Sequence, residues 1–103
     1  AVALARKESG YCYEVFLDMI KDADYGIRST TARVLGELKI PSREQLLSIA
    51  LLDSNIRVRT SATRAVGMMG GANAFPLLLR TLEDSQEVVR TYAAGNIIKL
   101  MKK

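Results

Sequence analysis

Histidine and tryptophan are absent from this sequence, and cysteine occurs once. Without histidine, the chain lacks the most frequent general base and the most frequent metal ligand of proteins. The single thiol, Cys12, forms no internal disulfide and cannot build a zinc site alone, and we interpret it as an inert helix residue. No GxxxxGK[ST] or GxGxxG phosphate-binding motif is present. We therefore predict no catalytic residue, no metal and no cofactor.

Long apolar runs are also missing from the sequence. The longest one, around Leu46 to Leu52, is far shorter than the ~20 residues that cross a bilayer. No signal-peptide pattern opens the chain, and we expect a reduced, cytoplasmic setting. The net charge of +4 favours acidic partners only weakly. With 49% hydrophobic and 25% charged residues, the composition is that of an ordinary globular domain.

What the sequence does contain is a repeat of 31 residues. An aspartate recurs at this spacing, and an arginine follows each copy by six positions. The aspartates are Asp22, Asp53 and Asp84, and the arginines are Arg28, Arg59 and Arg90. A fixed period of this length is typical of stacked helical repeats. We expect one domain over 1–103, with repeats at 11–41, 42–72 and 73–103, and with 1–10 ending a preceding repeat of a longer protein.

The pattern within each repeat predicts two helices, A and B. The A helices are predicted over 12–21, 43–52 and 74–83, and the B helices over 25–38, 56–69 and 87–101. Ser42 and Asn73 are the predicted N-caps of the later A helices, and Gly70 is the predicted stop of the middle B helix. The buried face of the first B helix is predicted to hold Ile27, Thr31, Val34, Leu35 and Leu38. No period-two alternation predicts a strand.

One resemblance follows from these residues. A turn aspartate, a Val-Arg pair five and six residues later and a following AAxxLG-like segment resemble the short HEAT-like repeats, the class also found in bilin lyases. The second repeat shows the pattern best, at Asp53, Val58, Arg59, Ala62, Val66 and Gly67. The third repeat departs from it, with Ile98 where the others have glycine. The resemblance covers the whole chain and implies an all-α fold, a right-handed α-solenoid of about three 31-residue helical hairpins.

The repeated polar and glycine positions then receive structural interpretations. The resemblance implies that each arginine reaches turn aspartates of its own and of neighbouring repeats, through charge-assisted hydrogen bonds. The alternative is a basic binding row, which the strict pairing with aspartate disfavours. Glycine inside a helix costs ~1 kcal/mol relative to alanine, so Gly36 and Gly67 are expected to let two helices approach closely.

The outward positions of the B helices form the predicted binding surface, here named the B face. It comprises Tyr25, Ser29, Arg33, Ile56, Arg57, Thr60, Arg64, Met68, Val88, Tyr92 and Lys99. These positions vary between repeats while the core positions recur. Arginine combined with aromatic residues and methionine is typical of protein interfaces. We predict a non-catalytic scaffold or adaptor that binds a protein or peptide of some acidic character.

Two other functions and a second contact surface are open at this point. The cations of the B face could neutralise phosphates of a nucleic acid, although Glu37 and Glu87 interrupt them. The chain could also be a fragment of a lyase-type enzyme whose active residues lie elsewhere. In the middle A helix, Leu46, Ile49 and Leu52 are predicted to point outward. Either the neighbouring A helices bury them, or they support self-association or contact with another domain.

Overall fold

The computed structural model describes the backbone of residues 9–102 and the side chains of residues 13–102. Six α-helices and no strand lie in this range, which confirms the all-α prediction. The helices are α1 (Ser9–Ile20), α2 (Tyr25–Glu37), α3 (Arg43–Leu51), α4 (Ile56–Met69), α5 (Ala74–Thr81) and α6 (Glu87–Met101). Helices α1, α3 and α5 are the A helices, and α2, α4 and α6 are the B helices. The predictions for residues 1–8 and for the Cys12 side chain lie outside the described part.

The repeated aspartate orders the turn between each A helix and the following B helix. In all three turns its carboxylate accepts a hydrogen bond of 2.9 Å from the backbone N–H two residues later. The first two turns continue into a helix cap. Asp24 accepts from the N–H of Gly26 at 2.7 Å, and Asn55 accepts from the N–H of Arg57 at 2.8 Å. These bonds satisfy N–H groups that have no partner within the helix.

The later A helices begin directly after the predicted N-cap residues, but the expected side-chain bonds are missing. Neither Ser42 nor Asn73 makes a side-chain capping bond, and Ser42 adopts the left-handed conformation with φ 62°. Asn73 has helical backbone, with φ −75° and ψ −21°, so neither residue has the extended conformation typical of a capping side chain. Beside Ser42, Arg43 donates to the Leu38 carbonyl at 2.7 Å. Arg43 thus caps the end of α2. The predicted stop of α4 is confirmed, since Gly70 is its C-cap at φ 62°.

The core lies between the A layer and the B layer. Fully buried aliphatic side chains from both layers fill it, including Leu35, Leu47, Val66 and Leu78. Ile27 and Leu38 are exposed, so their assignment to the buried face of α2 is wrong. No described B helix precedes α2 to cover Ile27. Leu38 is the C-cap of α2, with extended backbone, and so leaves the direction of the buried stripe.

Two glycines set the distance between neighbouring B helices. A Cβ placed on Gly36 would lie 2.8 Å from the Cα of Ala65, closer than real Cβ atoms approach. A Cβ on Gly67 would overlap the side chain of Asn96. The predicted close approach is therefore confirmed at both positions. The B helices contact one another more extensively than the A helices do, so the stack closes more tightly on the B side.

The arginines form a ladder along the stack, as expected. Arg28 binds the Asp53 carboxylate of the next repeat through Nε at 2.8 Å and Nη2 at 3.1 Å. Arg59 binds Asp84 in the same way through Nε at 2.9 Å. Each arginine also donates to the backbone carbonyl of the aspartate in its own repeat, at 2.7–2.8 Å. The ladder therefore joins successive hairpins and closes each turn.

Acid should weaken the ladder at Asp53. Burial is the largest single influence, and it acts to raise the pKa of the Asp53 carboxyl. Hydrogen bonds from Arg28 and from the Asn55 N–H, together with the Arg59 charge, outweigh burial, so the pKa is lowered. A pKa lowered by folding gives stability that is present above the ordinary aspartate value of about 3.9 and is lost as the pH falls through the folded value. Between about pH 5 and pH 2, the free energy of unfolding should fall less steeply in Asp53→Asn than in the parent. Urea unfolding at several pH values measures this, and parallel curves would contradict it.

Candidate functional site

The B face lies opposite the A layer and carries five exposed large apolar side chains. Tyr25, Ile56, Val88 and Tyr92 are each between 37% and 45% exposed, and Met68 is 60% exposed. The cause is local. Val58 and Ala62 in α4 turn toward the A helices and are fully buried, so the residues on the opposite side of the helix face solvent. The B face is therefore an apolar surface with cations at its rim.

A groove of about 430 Å³ lies between α4 and α6, and we name it the Arg64 groove. Its lining residues are Arg64, Gly67, Met68, Thr91, Tyr92, Gly95, Asn96 and Lys99. Asn96 donates to the Tyr92 carbonyl at 2.9 Å, which fixes its amide against α6. Two cations and no carboxylate line this groove, so its charge suits an anionic group.

A second groove, of about 370 Å³, lies nearer the start of α4, and we name it the Ile56 groove. Its lining residues are Ser29, Ile56, Arg57, Thr60, Ser61 and Val88. The hydroxyls of Ser29 and Ser61 are 2.6 Å apart and join α2 to α4 at its edge. Ile56 and Val88 are exposed, so this groove suits an apolar side chain.

The cations of the B face differ in how they are held. Arg33 lies 3.8 Å from Glu37 in an exposed pair on α2. Arg57, Arg64 and Lys99 form no salt bridge with any of the side chains in 13–102. Arg64 lies over the ring of Tyr92, 5.6 Å from its centroid. This cation–π contact leaves the guanidinium N–H groups for another partner.

The grooves bring together most of the residues predicted for the B face. Arg64, Met68, Tyr92 and Lys99 line the Arg64 groove, while Ser29, Ile56, Arg57, Thr60 and Val88 line the Ile56 groove. Tyr25 and Arg33 line neither groove. Sequence reasoning left Ser61, Gly67 and Asn96 out of the site, and it placed Thr91 and Gly95 on the outward side of the third B helix without selecting them as binding residues. For Gly95 a signal existed, because it occupies the repeat position of Arg33 and Arg64.

The A side offers a smaller apolar surface than predicted. Leu46 is fully buried, so its outward assignment is wrong. Helix α3 lies between α1 and α5, and these flanking A helices cover a residue that points sideways from it. Ile49 is 36% exposed and Leu52 is 78% exposed, so self-association stays a prediction that rests on these two residues.

No group of three or more cysteine, aspartate or glutamate side chains within 13–102 is arranged to hold a metal ion. None of the six helices has both the length and the apolar character needed to cross a membrane.

Comparison with known proteins identifies the repeat. Residues 13–98 match the family model described as HEAT repeats, which confirms the family expected from the sequence. The chain is also similar to the phycocyanobilin lyase subunit alpha of Synechococcus elongatus, with 34% identity over 73 residues. That alignment covers 71% of the present chain but 27% of the relative. The chain thus spans about a quarter of the length of the curated relative it matches.

Proposed function

The chain belongs to the HEAT repeat family, and from that premise we propose that it is a non-catalytic module that binds a protein or peptide through the B face. One observation carries the proposal: two grooves lie side by side on the same row of helices, one cationic and one apolar. Arg57, Arg64 and Lys99 have no ionic partner among the described side chains, so they are available to a ligand.

The chemistry of the B face supports a protein partner over a nucleic acid. Binding energy in protein interfaces concentrates in a few arginine and aromatic side chains next to apolar contacts. Arg64 over the Tyr92 ring, with Met68 in the same groove, has this composition. A nucleic-acid surface would present more phosphate contacts, and Arg33 is paired with Glu37.

Reversal of the charge on the B face should abolish binding. Peptides selected from a random library displayed on phage would be tested against the parent and against Arg57→Glu/Arg64→Glu. We expect the double variant to weaken binding by at least about tenfold, because it places like charge at an interface centre. Isothermal titration calorimetry measures the affinities.

The matched control removes the same charge from the A side. Lys21→Glu/Arg80→Glu alters two exposed cations outside the B face and should leave the affinity unchanged. Equal weakening by both double variants would mean that only net charge matters, and the B face would be rejected. Binding of random duplex DNA at low salt that fades steeply as salt is added would favour the nucleic-acid function instead.

A second candidate function comes from the relative. Similarity to a phycocyanobilin lyase subunit supports the alternative that this chain is part of a lyase-type enzyme whose active residues lie elsewhere. Mixing phycocyanobilin with the chain and recording the absorption spectrum tests this alternative. A red shift or sharpening of its absorption band on mixing with the chain would support this alternative, and an unchanged spectrum with saturable peptide binding would favour the module.

A further inference from the structure

Gly95 differs from Gly36 and Gly67, the glycines in the later turns of α2 and α4. Gly36 and Gly67 are required by packing, because a Cβ at either would collide with the next helix. A Cβ on Gly95 would meet nothing within 4 Å. Glycine in the middle of a 15-residue helix lowers its stability relative to alanine. Packing therefore gives no reason for Gly95.

The missing side chain instead opens the Arg64 groove. The other two repeats place an arginine at this position, Arg33 and Arg64, and such a side chain would cover the surface of its own helix. With glycine there, the backbone of α6 lies open between Tyr92 and Lys99, which are one turn away on either side. The groove thus has a floor of bare helix backbone and cationic walls.

The side chains that line the Arg64 groove determine which chemical group it can bind. The Arg64 guanidinium lies over the Tyr92 ring and has an N–H edge that can bind a carboxylate through two parallel hydrogen bonds. Lys99 adds a second positive charge from α6, and Thr91 and Asn96 add polar groups. No aspartate or glutamate lines the groove. A planar carboxylate fits this set.

The Ile56 groove can hold a second side chain of the same ligand. Ile56 lies eight residues before Arg64 on α4, which corresponds to about 12 Å along the helix. An extended peptide advances about 3.3 Å per residue and turns every second side chain to the same side. Two of its side chains four residues apart would therefore reach both grooves.

We propose that the Arg64 groove is a binding site for a carboxylate side chain of an extended acidic peptide, and that an apolar side chain four residues away occupies the Ile56 groove. This inference rests on the proposed function, because it specifies the ligand that the B face takes. It adds a role for Gly95, which keeps the groove open at the expense of helix stability.

Synthetic peptides test the carboxylate. Acetylated and amidated peptides with Glu and Leu four residues apart, in both orders, would be compared with the same peptides carrying Gln for Glu. We expect the better Glu peptide to bind at least about fivefold more tightly than its Gln partner, because a charge-assisted bond is lost. Fluorescence anisotropy measures both affinities. Lys99→Gln should weaken the Glu peptide and leave the Gln peptide unchanged.

Substitutions at Gly95 test the groove separately from the fold. Gly95→Leu should fill the groove and weaken the Glu peptide at least about tenfold, while the thermal midpoint does not fall, because leucine is a good helix former. Gly95→Ala should raise the thermal midpoint by about 4 °C and keep most of the affinity. Arg80→Gln, on α5, is the control for a lost surface charge.

Equal affinity for the Glu and Gln peptides would overturn the inference, as would full affinity in Gly95→Leu or no binding of either synthetic peptide. These results leave the proposed function standing if phage-selected peptides still depend on Arg57 and Arg64. If phage-selected peptides are insensitive to Arg57→Glu/Arg64→Glu, the proposed function fails as well.

Discussion

Replacing Gly36 by alanine should lower the free energy of unfolding by about 2 kcal/mol, although alanine is the better helix former. The new Cβ would lie 2.8 Å from the Cα of Ala65, 2.9 Å from its Cβ and 3.1 Å from its carbonyl oxygen. Two of these atoms are backbone, so no side chain can rotate away. Helices α2 and α4 would have to separate and loosen the buried contacts beside them. Urea unfolding followed by circular dichroism measures the change.

Gly95→Ala is the matched control for this prediction. The same substitution, also inside a B helix, should raise the free energy of unfolding by about 0.5–1 kcal/mol, because only helix propensity changes where the Cβ meets no neighbour. Opposite signs for the two variants would support helix contact as the role of Gly36. A stabilised Gly36→Ala protein would contradict the packing described for α2 and α4.

Removing the ladder at Arg59 should have a larger effect, with Arg59→Ala lowering the free energy of unfolding by about 3 kcal/mol. The Arg59 and Asp84 side chains are only 13% and 9% exposed, so the carboxylate would lose its partner with little water to replace it. The carbonyls of Asp53 and Ser54 would also lose the donors that lie at 2.8 and 3.2 Å. Thermal and chemical unfolding together measure the loss.

Arg59→Lys separates charge from geometry in the ladder. Lysine keeps the positive charge but cannot bind a carboxylate and a carbonyl in one plane, so we expect it to recover less than half of the loss. Arg80→Ala, at an exposed position of α5, should change stability by less than about 0.5 kcal/mol. Full recovery by lysine would contradict the geometric role of the ladder.

The repeat made most of the fold predictable. The 31-residue spacing places equivalent residues in equivalent surroundings, so one interpretation of the Asp–Arg pair served every repeat. Gly36 and Gly67 were predictable for the same reason. Where the context differed between repeats, prediction failed, as for Leu46, which its neighbouring helices cover, and Ile27, which no described B helix covers. Periodicity encodes the local environment of a repeat unit but not its place in the stack.

The candidate site was predictable as a surface but not as two grooves. Helical geometry indicates which residues of α4 and α6 point away from the core. The shape between them depends on how far apart the two helices lie, and the contact of Gly67 with Asn96 sets that distance. Arg33 and Arg64 occupy the same repeat position, yet only Arg64 has Tyr92 beside it. Such pairings between repeats do not follow from a period.

The structural and binding predictions are connected through the B helices. The ladder and the two packing glycines bring α2, α4 and α6 close together, and this arrangement holds the walls of both grooves at a fixed spacing. Preorganised walls do not have to be ordered on binding, so the protein itself loses less conformational entropy when a peptide binds. Variants that loosen the stack, such as Gly36→Ala, should therefore bind less tightly even where they remain folded.

Amide chemical-shift mapping by NMR, with a phage-selected peptide, would show directly whether the partner binds at the B face. We expect the largest shifts in α4 and α6, at Thr60, Arg64, Met68, Tyr92, Gly95 and Lys99, with α3 and α5 little affected. Shifts concentrated in α3 and α5, around Ile49, Leu52 and Leu79, would show that the partner binds the A side and would contradict binding at the B face.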